Sequence, residues 1–176
     1  EAVLATPANP PAEGIGLDGL WRGWRHIKRA VGNGSDRTAR WEMMMASTEG
    51  ALAFVKGLGA VHSMSHAAGR IKELRLHHGT LNAVILPTIL RFNEEACLDV
   101  YPRLRQAMGL AANADLAKAV EQLNADLGLP RGLSEMGLTE ELIEDMVPHA
   151  INDLATMTNP KKVSAEDFAD LYRQAM

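Results

Sequence analysis

One cysteine in 176 residues, Cys97, has no partner for an internal disulfide and fits a reducing compartment. Positive charge is not in excess: 18 Lys and Arg stand against 22 Asp and Glu, for a net charge of −4. A nucleic-acid partner therefore gets no electrostatic help, and no DNA- or RNA-binding motif is present. There is no apolar run of membrane-spanning length and no signal-peptide pattern. No segment alternates with period two between turn signals, as a half-buried strand would. Internal repeats and low-complexity tracts are also missing, and no Ser, His and Asp arrangement suggests a hydrolytic nucleophile. A cytoplasmic protein without nucleic-acid or membrane partners is the simplest expectation.

What remains is helical. The segment "GLDGLWRGWRHIKRAV" spaces Leu17, Leu20, Trp21, Trp24, Ile27 and Val31 mostly by three and four, with basic residues between them. That pattern predicts an amphipathic helix with a solvated basic face. After "GNGSD", Ser35 is the expected N-cap of a second helix, in which Met43, Met44 and Met45 read as deformable core filler. Further helices are expected over Ala60 to Arg70, Thr80 to Asn93, Glu94 to Met108, Ala114 to Asp126, Thr139 to Thr158 and Ser164 to Gln174. Thr139 is an expected cap, and Ser164 with Asp167 forms a capping-box pattern. Leu127 to Gly137 reads as a loop. The fold class is all-α, with residues 1–176 as one domain.

"GIGLDG" at Gly14 to Gly19 matches the spelling of a dinucleotide-binding fingerprint, but the chemistry needs a strand entering the turn. The preceding "TPANPPAE" cannot supply one. His26 and His149 stand alone and are expected to be structural or exposed, and Cys97 to be a small buried residue.

Four of the six histidines, His62, His66, His77 and His78, fall between Val61 and Gly79. His62 and His66 are four apart, which puts both rings on one helical face. A straight helix would carry His78 about 24 Å from His62 at 1.5 Å per residue. A shared metal site therefore requires the chain to turn back at Gly69 and "RIKELRL", with His78 opening a new helix.

"GLGAVHSMSHAAG" followed by "HHGTLNAVILPTILRFN" resembles the signature region of the iron-containing (group III) alcohol dehydrogenases. "NPPAEGIGLDGL" and the closing "MTNPKKVSAEDFADLYRQA" extend the similarity over the whole chain. Two departures stand out: the interval from His66 to His78 is two residues longer than the usual pattern, and Ala67 replaces a common Pro. The resemblance implies the helical C-terminal domain of a dehydroquinate-synthase-like, two-domain enzyme. It implies Fe²⁺ or Zn²⁺ held by one Asp and three His, with His62 and His78 as two of these ligands and His77 as the competitor for the second position. His66 would stand beside the alcohol or aldehyde and relay its proton, with Phe54 and Leu58 as liners of the substrate pocket. The other two ligands and the NAD(P)-binding domain would precede Glu1. On that reading the isolated chain is inactive and exposes an apolar face that favours self-association. A stand-alone helical binding or assembly module is the alternative.

Overall fold

The structure is a computed structural model describing all residues, Glu1–Met176. It is helical with no strand, and it packs as two compact units. The first comprises Glu1–Gly57 and Cys97–Ala114, the second Leu58–Ala96 and Asp115–Met176.

In the first unit, α1 (Pro10–Gly32) and α2 (Arg37–Ala53) form a hairpin, and α5 (Tyr101–Met108) packs on α1. α1 starts well before the apolar pattern does. Asn9 accepts a hydrogen bond from the Ala12 amide, and Pro10 and Pro11 occupy the first turn, where a missing N–H costs nothing. Two glycines of the fingerprint look-alike have packing jobs. A Cβ on Gly16 would lie 2.8 Å from Val3 Cγ2, and one on Gly19 would lie 3.2 Å from the Ala46 carbonyl oxygen on α2. The α2 cap is Asp36, which accepts from Ala39 N, and not Ser35. Met44 is 67% exposed and Met43 and Met45 are only half-buried, so the methionine run is not core. Nor is the basic face of α1 simply solvated, because Arg22 pairs with Asp18, Glu42 and Glu49 and Arg29 pairs with Asp36. Cys97 is buried, and burial, with Asp99 nearby, pushes its thiol up to about 11.

The second unit contains α3 (Ala60–Ala68), α4 (His78–Asn93), α6 (Leu116–Asp126), α7 (Ile143–Ile151) and α8 (Ala165–Ala175). Phe168, Leu171, Tyr172 and Ala175 form the buried stripe of α8 at helical spacing. With Met64, Leu81, Ile85, Ile89, Leu133 and Met146 they make one core, each large side chain worth roughly 2–3 kcal/mol of burial. The Ser164–Asp167 capping box is formed in both directions. Thr139 does precede a 3-10 turn, but its side chain makes no cap hydrogen bond. The helix expected over Thr139 to Thr158 is broken into 3-10 turns around α7. That expected from Glu94 is likewise a 3-10 turn followed by a gap before Tyr101. The stretch read as a loop after Leu127 contains a 3-10 turn, Leu133–Met136.

Candidate metal and substrate site

α3 is short and almost wholly buried. Seven of its nine residues are inside, and the two that are not are His62 and His66. Its position is fixed at both ends of the packing. Asn159 Oδ1 accepts from the Ala60 amide at 3.0 Å, and the Tyr172 hydroxyl donates to the Met64 carbonyl at 2.9 Å. Asn159 is itself locked by reciprocal amide bonds with Asn93.

After Gly69 the chain reverses through a 3-10 turn, Lys72–Leu74, and through Arg75, whose φ of 48° is left-handed. This is the return that a shared site requires. His77 then caps α4: its Nδ1 accepts from the Thr80 amide and lies 3.1 Å from the Thr80 hydroxyl. His78, in the first turn of α4, comes back onto α3. Its ring centroid is 5.3 Å from those of both His62 and His66, stacked on the latter at 13°, and His62 and His66 are 5.7 Å apart. The structure thus gathers His62, His66 and His78 and turns His77 to a capping role.

Asn82, one turn after His78, defines the tautomers. Its Nδ2 lies 3.3 Å from His62 Nε2 and 3.2 Å from His78 Nε2. A carboxamide nitrogen only donates, so in this arrangement each Nε2 accepts, which corresponds to the tautomer with its proton on Nδ1. For His78 that proton points at Ser65 Oγ, 3.3 Å away, while the Ser65 hydroxyl donates to the His62 carbonyl. Desolvation first, and the surrounding His62, His66 and His77 next, hold the His78 imidazole below its ordinary pKa. Asn82 Oδ1 is buried with no hydrogen-bond partner. The amide is therefore incompletely paired where it stands, while two imidazole Nε2 atoms converge on its nitrogen. Such a donor pair suits Fe²⁺ or Zn²⁺. No group of three or more His, Cys, Asp or Glu side chains is disposed to hold an ion.

His66 is arranged differently. Its Nδ1 is 2.9 Å from Asp153 Oδ2, the ring is about half exposed, and Asp153 also accepts from the Ala155 amide. With Nδ1–H held by the carboxylate, Nε2 is available to take or return a proton. His66 forms one wall of a surface cleft lined also by Ala67, Arg70, Pro148, His149 and Asp153. His149, a lone histidine in the sequence, is thus an exposed part of this cleft. Phe54 and Leu58 do not line it. Sequence reasoning missed Ser65, Asn82 and Asp153. Asn82 carries a signal, since a polar residue four after His78 must share its helical face. Asp153 carries none, being 87 residues from His66.

With the geometry in place, comparison with known proteins gives a consistent result. The model of the Fe-containing alcohol dehydrogenase family, C-terminal part, matches residues 1–176. A 4-hydroxybutyrate dehydrogenase of Cupriavidus necator is 51% identical across 100% of this chain and 48% of its own length. An NAD-dependent methanol dehydrogenase of Bacillus methanolicus is 32% identical, again over 100% of this chain and 48% of its own. Among solved structures, a 1,3-propanediol oxidoreductase superposes with a TM-score of 0.93 at 30% identity, over 100% of this chain and 48% of that one. An alcohol dehydrogenase from Oenococcus oeni gives 0.91 at 28%, with the same coverage. The chain spans about half the length of the relatives it matches.

Proposed function

Because the chain belongs to the Fe-containing alcohol dehydrogenase family, we propose that it is the helical metal- and substrate-binding half of an NAD(P)-dependent dehydrogenase. Its substrate is an alcohol or aldehyde, and a second, nucleotide-binding half completes the enzyme. The observation that carries this reading is the convergence of His62 Nε2 and His78 Nε2, as unprotonated donors, on one amide nitrogen. These two residues would hold Fe²⁺ or Zn²⁺, with the remaining donors supplied by the other half. When bound, such an ion contributes Lewis-acid polarisation of an alcohol or carbonyl oxygen. The relatives' length and the words "NAD-dependent" in the name of one of them support the second half and its cofactor.

The chain's own residues divide the remaining work. Ser65 orients the His78 ring by accepting its Nδ1 proton, which leaves Nε2 free to donate its lone pair. His77 is committed to the α4 cap, which favours His78 as the ligand. His66 lies against both ligand rings, and Asp153 holds its Nδ1–H, so its Nε2 takes the hydroxyl proton during oxidation and returns it during reduction. Burial of the rest of α3 gives the two rings it carries, His62 and His66, a rigid support.

Substitution in the assembled enzyme separates the roles. His62→Ala removes bound metal and turnover together, whereas His66→Ala lowers kcat by roughly 100-fold or more with metal content retained. Metal analysis and steady-state kinetics on the two variants check this, and equal metal loss in both would overturn the assignment.

A further inference from the structure

The names of the relatives span a hydroxy acid at 51% identity and methanol and a diol at 32%. The cleft beside His66 bears on which of these fits. Arg70 follows His66 by four residues, as His66 follows His62. The helical turn persists beyond α3 far enough for this to matter, since Gly69 N bonds Ser65 O and Arg70 N bonds Ala67 O. His62, His66 and Arg70 therefore lie along one row, with each backbone step about 6 Å. The row runs from a metal donor, through the proton-handling histidine, to a guanidinium.

That guanidinium is exposed and makes no ion pair or side-chain hydrogen bond in the chain, while Arg22, Arg29, Arg91, Arg103, Arg131 and Arg173 each pair with a carboxylate. The acid beside it, Asp153, is already engaged by the His66 ring and the Ala155 amide. The cleft is also lined by the exposed Pro148, His149 and Asn152, whereas Ala67 is buried. A hydroxyl at His66, a few methylenes across Pro148, and a negative head at Arg70 would fit this lining. A planar fork of N–H donors matches the two oxygens of a carboxylate.

Resting on the dehydrogenase reading above, we propose that the substrate is a short ω-hydroxy carboxylate, or the matching aldehyde acid, and that Arg70 is the specificity residue that binds its carboxylate.

The test uses the assembled enzyme with 4-hydroxybutyrate and, as an uncharged comparator of equal length, 1-butanol. Arg70→Gln lowers the ratio of kcat/KM for the acid to that for the alcohol by at least about tenfold, chiefly through KM for the acid, and Arg70→Lys restores part of it. Arg70 is exposed, so the substitutions leave the fold intact. Butyrate, which has the carboxylate but nothing to oxidise, is titrated calorimetrically in parallel, and Arg70→Gln weakens its binding to the same extent. An unchanged substrate ratio, or butyrate affinity indifferent to Arg70→Gln, overturns the inference. If neither alcohol is turned over, the dehydrogenase reading falls, and the butyrate titration alone decides for or against the carboxylate site.

Discussion

A carboxamide nitrogen has two protons, and at Asn82 both face imidazole nitrogens while the oxygen of the same group is buried without a partner. The cost of one orphaned buried acceptor is on the order of 1–3 kcal/mol, and the chain tolerates it at the point where two imidazole nitrogens meet. Chemistry at this scale makes a sharp prediction. Asn82→Asp replaces the amide with an anionic oxygen between two neutral nitrogens, creating a third donor in place. Zn²⁺ affinity of the 176-residue chain rises at least tenfold in a calorimetric titration. An unchanged affinity would mean that His62 and His78 do not share a site. The same logic explains what could be read from the histidines in advance. Their types and the i, i+4 spacing were visible, and so was the need for a reversal. The sequence resemblance favoured His78 over His77; what it could not show is that the first turn of α4 takes His77 as its cap.

Among the elements, α3 matters most, being only nine residues long and bearing two of the three clustered rings. A helix this short is not stable by propensity and is placed by what it packs against. Asn159 does much of that placing, since its amide bonds to Ala60 N, to both polar atoms of the Asn93 side chain and to Lys161 O. Asn159→Ala leaves several buried groups unpaired and destabilises the chain by about 3 kcal/mol. In the assembled enzyme it lowers metal content as well, although Asn159 touches none of the three rings. Urea unfolding and metal analysis check this, and a loss below about 1 kcal/mol would contradict the role.

Element boundaries were legible where the local chemistry is strong, as at the Ser164–Asp167 box and the turn after Gly69. They failed where tertiary contacts decide. Asn9 with Pro10 and Pro11 is a start signal for α1, but a Pro-rich stretch reads equally as a loop. At the next helix Asp36 took the cap from its neighbour Ser35. The Met43–Met45 run carries helical periodicity on a face that the structure leaves largely open, and hydrophobicity alone does not say which faces have partners. Asp153 could not be found at all, because an 87-residue separation has no local signature.

At the scale of the whole molecule, the proposed function divides an enzyme in two. No helix is long and apolar enough to cross a membrane, and the relatives extend to about twice this length. Of the four metal donors that the family resemblance implies, the residues present offer two. An open pair of imidazoles leaves water on most of the ion and binds it far more weakly than a closed four-donor shell. The helical core around Phe168 and Tyr172 involves neither ring, so folding does not wait for the metal. The direct test is metal analysis of the purified 176-residue chain after gel filtration in metal-free buffer, with an assay for alcohol oxidation by NAD or NADP on the same sample. A folded helical chain with far less than one ion per molecule and no turnover is the predicted result. One tightly held Fe²⁺ or Zn²⁺ per chain, with measurable oxidation, would contradict it.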